Sequence, residues 1–281
     1  MPDGPPVPDG AHPASRKDLR ADCERCFGLC CVAPAFSRSA DFAIDKPAGR
    51  PCPNLAADFG CSIHDRLRQR GFPGCTVFDC FGAGQKVAQV TFGGRDWRRT
   101  PEIADRMFAV FPIVRGLNEL LWYLVEARTL PAARTLHDDL DRAVEETERL
   151  SVADPDVLLD LDVDAHRREV GALLLRASEL ARSGVGHRRA ELRGADLIGK
   201  DLRRTDLRGA NLRGAYLVGA DLRGTDLRLA DVTGADLRAA DVRGADLSGS
   251  LFLVQAQLDA AKGGPDTGVP PTLTAPAHWP G

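Results

Sequence analysis

The stretch Ala190-Glu-Leu-Arg-Gly194, Ala195-Asp-Leu-Ile-Gly199, Lys200-Asp-Leu-Arg-Arg204 opens twelve consecutive five-residue units that run to Ala245-Asp-Leu-Ser-Gly249. The centre of every unit is apolar: Leu192, Leu197, Leu202, Leu207, Leu212, Leu217, Leu222, Leu227, Val232, Leu237, Val242 and Leu247. Two positions earlier stands a small residue, except at Lys200. A helix has period 3.6 and a strand period 2, so neither accounts for a period of five. A fixed short period signals stacked units, each burying its apolar residue only against its neighbours.

This A(D/N)LRG pattern resembles the bacterial pentapeptide-repeat family over residues 190–252. The resemblance implies a right-handed quadrilateral β-helix, a solenoid with one unit per side and twenty residues per coil. Residues 190–249 would then make about three coils, with the central Leu and the small residue pointing inward. Phe252 is expected to plug the C-terminal end, before the register breaks at Ala256-Gln-Leu258.

The outward positions carry charge in balance. Residues 190–249 hold ten acidic and ten basic side chains. Some pentapeptide-repeat proteins mimic DNA and bind topoisomerases, which needs a long, strongly negative rod. A short neutral rod argues against nucleic-acid mimicry and weakens a role in antibiotic self-protection of the topoisomerase-binding type. At twenty-residue spacing Arg203, Arg223 and Arg243 fall on one face, and Ile198, Val218 and Tyr216 on another. The Arg ladder reads as a face interleaved with Asp. The apolar face reads as a surface that docks the rest of the chain. A protein partner would read Arg203, Arg223, Arg243 or Tyr216.

All eight cysteines lie between positions 23 and 80: Cys23, Cys26, Cys30, Cys31, Cys52, Cys61, Cys75 and Cys80. Met1–Pro13 lacks the apolar segment of a secretory signal, and no apolar run is read as a membrane span. The expected compartment is the cytoplasm, where thiols stay reduced. Dense cysteines there point to metal before disulfides. Thiolates are soft donors suited to zinc and iron–sulfur clusters. Adjacent Cys30 and Cys31 are expected to diverge, so that both do not reach one metal. His64, three residues after Cys61, reads as a surface or core histidine before a ligand.

The words CERCFGLCC, CPNL, CSIHDRLRQRGFPGC and DC, over residues 20–82, resemble a bacterial Cys-rich group described as a zinc- or iron-chelating domain. That resemblance implies all eight cysteines as candidate ligands of zinc or an iron–sulfur cluster. It departs from the group's pattern by an extra residue before Cys30 and by His64 in place of an aromatic residue.

The remainder divides into a disordered N-terminus (1–17), the Cys-rich domain (18–99), a helical segment (100–186), the repeats (187–258) and a C-terminal cap and tail (259–281). Thr100-Pro101 starts the first helix, with Val110, Val114, Leu117, Leu121 and Leu124 on one face and a break or kink at Pro112. Further helices are expected from Pro131 to Leu150, from Asp154-Pro155, and from Asp164 to Arg182, with Leu173, Leu174 and Leu175 in a bundle core. Gly93-Gly94 reads as a turn. No catalytic constellation stands out; His137, His166 and His187 are scattered. The leading expectation is a scaffold and protein-interaction protein with a metal–thiolate site. An iron–sulfur redox protein or enzyme component is the alternative.

Overall fold

The computed structural model describes residues 16, 19–185 and 189–280. The expected disordered N-terminus, apart from Arg16, and His187 lie outside the described residues. Regular secondary structure is helical: α1 (Leu29–Val32), α2 (Pro73–Thr76), α3 (Ala83–Lys86), α4 (Ala104–Thr129), α5 (His137–Ser151), α6 (Pro155–Leu159), α7 (Val163–Arg182) and α8 (Gln255–Ala260).

The expected β-helix is corrected. Among the described residues there is no β-strand and no sheet. The repeat region is a succession of turns tied by isolated one-residue parallel bridges, for example Asp196 to Tyr216 and Tyr216 to Asp236. The reason lies inside the five-residue unit. Asn211 N–H donates to Ala190 O at 2.9 Å, and Leu192 N–H donates to Asn211 O at 2.8 Å. The chain then turns at once, with Ala195 N–H donating to Leu192 O at 3.1 Å. A strand needs consecutive extended residues; here the bridged residue is followed by a turn whose left-handed position is a glycine in most units, as at Gly194 and Gly199 with φ near +64°, and Leu229 or Ala239 in others. Leu202 through Leu247 are buried at every central position, while Leu192 and Leu197 are half-buried.

Helix α4 is the spine of the molecule. Its length and mean hydropathy would suit a membrane span, contrary to the sequence expectation, yet it is the buried core helix here. Met107, Val110, Phe111, Val114 and Leu117 pack with Leu29, Val32, Val87 and Trp97 of the Cys-rich segment. Leu120, Leu121, Trp122, Tyr123 and Leu124 pack with Leu140 and Val144 of α5, Val170 and Leu174 of α7, and Leu251, Phe252 and Val254. Pro112 neither breaks α4 nor ends it. It is solvent-exposed, where water satisfies the carbonyl its missing N–H leaves free.

The other helices start where expected. Pro131–Leu136 is a 3-10 turn leading into α5. The Asp154 carboxylate caps α6 by accepting from Asp156 N–H at 3.1 Å, and Asp162 caps α7 by accepting from Ala165 N–H at 2.8 Å. Of the three leucines assigned to the bundle core, Leu174 is buried and Leu173 only partly so.

Phe252 does not plug the repeats. It is fully buried among the helices, edge-on to Tyr123 with ring centroids 5.9 Å apart. Its φ of +61° turns the chain out of the repeat register. The C-terminal segment folds back over the repeats: α8 forms, and the buried Trp279 indole N–H donates to Ala261 O at 3.1 Å. The Tyr216 and Ile198 face does not dock the helices. Both side chains are more than half exposed.

Candidate functional site

Tight turns bring the cysteines together. Phe27 (φ +50°) and Gly28 (φ +65°) reverse the chain between Cys26 and α1. A side chain at Gly28 would also meet Leu55 Cδ1 at 2.6 Å and Phe59 O at 3.1 Å, so the turn favours glycine. α1 then carries Cys30 and Cys31. Cys52 N–H donates to Cys31 O at 2.9 Å, which lays the Cys52 loop against α1. An antiparallel bridge joins Leu55 to Cys61. Cys75 sits on α2, and Cys80 precedes a second reversal at Phe81 (φ +48°) and Gly82. Gly84 has no Cβ because the Cys26 side chain occupies that place, 2.7 Å away.

All eight cysteines line one cavity of about 300 Å³, together with His64, Asn54, Phe36 and Phe59. All eight are free thiols. The Sγ atoms of Cys30 and Cys31 lie 3.9 Å apart. This corrects the expectation that neighbouring side chains diverge. Two thiolates on one tetrahedral zinc, each at about 2.3 Å, stand about 3.8 Å apart. Among the described residues, however, no three His, Cys, Asp or Glu side chains already stand in metal-ligating geometry.

The thiols differ in acidity. Cys23 is lowered to about 6, first by the hydrogen bond from the Cys26 thiol and further by His64. Cys26 is pushed up by the same pairing and by burial. Cys30 is pushed up by its contact with Cys31 and by burial. Burial lifts Cys75 and Cys80 to about 11, and also raises Cys61. A buried thiol stays protonated unless a cation replaces its proton.

Sequence reading missed Lys46. It is 4% exposed, and its ammonium donates to Val32 O, Pro47 O and Arg50 O at 2.9–3.1 Å. Burial lowers its pKa, while Cys52 and Cys31 act in the opposite direction. Nothing in the local sequence marks it, because its partners are main-chain carbonyls.

The expected protein-binding residues lie in the repeats, outside the cavity lining. Arg203, Arg223 and Arg243 each clasp the Asp two positions earlier, at 2.7, 2.6 and 2.5 Å. Arg203 and Arg223 also reach the next Asp of the ladder, Asp221 and Asp241, at 3.3 and 3.7 Å. The pairing holds Asp201 and Asp221 down at about 2.

Residues 188–224 and 215–252 match the family model of pentapeptide repeats (8 copies). Over 271 residues the chain is 56% identical to "Uncharacterized protein YybG" of Bacillus subtilis (strain 168), an alignment covering 95% of this chain and 97% of that relative.

Proposed function

The chain belongs to the family of that Bacillus relative and carries pentapeptide repeats, and on that premise we propose that it holds a metal–thiolate centre and presents it to a protein partner. The observation that carries this reading is the convergence of Cys23, Cys26, Cys30, Cys31, Cys52, Cys61, Cys75 and Cys80 on one cavity. Residues up to 57 positions apart in sequence meet there although no disulfide joins them. Four thiolates saturate one zinc ion. Eight therefore suit either a multi-zinc site or an iron–sulfur cluster.

Chain residues supply the rest of the chemistry. Cys30 and Cys31 stand at a spacing that suits two ligands of one metal. Lys46 places a buried positive charge near Cys31 and Cys52. Phe36 and Phe59 form apolar wall of the cavity. A bound metal would supply thiolate cross-linking if zinc, and electron transfer if iron–sulfur. Because no three side chains among the described residues are pre-set as ligands, the metal would draw the thiols inward as it binds.

The partner surface in this reading is the exposed Tyr216 and Ile198 face, with the Asp-clasped Arg203, Arg223 and Arg243 on other five-residue units of the repeats. Metal analysis and visible absorption of the full chain, purified without chelator and without oxygen, test the centre. Bound zinc or a coloured iron species, lost when Cys30 and Cys52 are both changed to Ser, is the expected result. Eight freely titrating thiols with no metal would overturn it.

A further inference from the structure

The eight cysteines do not all face the same space. Beside the cysteine cavity lies a recess of about 20 Å³, lined by Cys23, Cys26, Cys30 and Cys80 and by none of the other four. Asp22 and Gln85 also line it, and both are engaged elsewhere. Asp22 pairs with Arg25 at 4.0 Å, and the Gln85 amide donates to Arg20 O at 2.7 Å while its oxygen accepts from Asp22 N–H at 3.2 Å. The remaining walls, Ala21, Gly84 and Phe111, offer no polar side chain. A space of this size takes about one water-sized occupant. Cys31, Cys52, Cys61 and Cys75 line the larger cavity and not the recess.

The apolar packing divides the thiols the same way. Cys30 and Cys80 lie against the core cluster that contains Leu29, Ala83 and Phe111. Cys61 and Cys75 lie against a separate cluster of Ile63, Leu67 and Phe72. Cys31 is a hydrogen-bonding neighbour of Cys61, and Cys52 and Cys61 both stand close to Cys75. The Lys46 ammonium is near Cys31 and Cys52, on this second side. Cys30 stands at the seam: its Sγ is 3.9 Å from that of Cys31, and it is also close to Cys75.

Resting on the metal–thiolate reading above, we infer that the centre is two sites, one divalent ion held by Cys23, Cys26, Cys30 and Cys80 and a second held by Cys31, Cys52, Cys61 and Cys75. Four thiolates complete the tetrahedron of zinc, and soft sulfur donors select it over magnesium or calcium. Cys23 and Cys26 have the C-x2-C spacing that brings two thiolates to one ion. The recess has room for a single ion and not for a cluster of several iron and sulfide atoms. At the second site the Lys46 ammonium offsets part of the negative charge that four thiolates leave on a divalent ion.

The test uses the full chain, freed of metal under reducing, oxygen-free conditions and titrated with Co2+ and then Zn2+. Metal per chain and the visible absorption of Co2+–thiolate bonds are read. Wild type takes up about two ions, and Cys26→Ser with Cys80→Ser, or Cys61→Ser with Cys75→Ser, takes up about one. Far-ultraviolet circular dichroism establishes that the helices of each variant are intact. Cys80→Ser and Cys75→Ser alone give the same comparison where a double variant does not fold, each weakening one ion and sparing the other. One ion on wild type would overturn the division and leave the metal–thiolate reading in place. So would a folded variant of either side that loses both ions or keeps both at full affinity. No ion on wild type would overturn the division and that reading together.

Discussion

The carboxylate of Glu126, near the end of α4, accepts a hydrogen bond from the main-chain N–H of Phe252 at 2.6 Å. The same carboxylate pairs with Arg16. One side chain thus joins the N-terminal arm, the central helix and the exit from the repeats. It is mostly buried, and burial raises its pKa above the ordinary carboxylate value even though Arg16 and the Phe252 N–H oppose the shift.

That shift sets a pH dependence. A carboxyl whose folded-state pKa is raised contributes stability that is fully present below the unfolded value, about 4.3 for Glu, and lost as pH rises through the folded value. Wild type should therefore exceed Glu126→Gln in stability most at acid pH, and the gap should narrow towards neutrality. Melting temperatures of the two proteins from about pH 4 to pH 8 check this. A gap that widens with pH would show that the Arg16 pair outweighs burial.

Leu222 is fully buried at the middle of the repeats. Leu222→Ala should lower stability by about 2–5 kcal/mol, through lost burial and the cavity left behind. Urea unfolding followed by circular dichroism measures it.

Gly28 combines a left-handed backbone with a neighbour 2.6 Å from its absent Cβ. Gly28→Ala should cost at least about 1–2 kcal/mol from the backbone alone, and should displace α1 with Cys30 and Cys31. Thermal melting gives the first effect. A fall in metal per chain, compared with wild type purified in parallel, gives the second.

In metal-free protein, Cys23 should be the first thiol to react. It is exposed, with a pKa lowered to about 6, so it is thiolate at neutral pH, whereas Cys75 and Cys80 near 11 are not. Timed alkylation with iodoacetamide at neutral pH, mapped by mass spectrometry, should find Cys23 labelled before Cys75 and Cys80. Simultaneous labelling would contradict the pairing with Cys26.

Tyr216 is 53% exposed and touches no helix core. Tyr216→Ser should change stability by no more than about 0.5 kcal/mol. A large loss of melting temperature would mean that its face is covered after all.

The inward positions of the repeats were legible, because a five-residue period of Leu with a small residue two places before it allows only those side chains inside. The strands inferred from family resemblance were not there, because each unit spends one residue on a bridge and the next ones on a turn. Helices after Thr100 were legible from caps and apolar spacing. Survival of α4 through Pro112 was not, because it depends on that residue facing water. The cysteines are grouped within one part of the sequence. Their meeting on a single cavity depends on Phe27, Gly28 and Phe81 taking positive φ, and two of these are residues that sequence rules do not assign to left-handed turns. Phe252 looked like a plug because it falls in register; its partner Tyr123 belongs to a helix more than a hundred residues away.

Helix α4 leaves its imprint on how the molecule comes apart. One half of it completes the apolar core behind the cysteines, and the other completes the core at the exit of the repeats. No slack segment separates the two halves, since the helix is continuous from Ala104 to Thr129. The two cores along α4 are therefore bound into one cooperative unfolding unit. Amide protons from Met107 to Ala127 should exchange with solvent only when the whole structure opens, and a substitution that loosened the cysteine end would be registered at the repeats, far from any thiol.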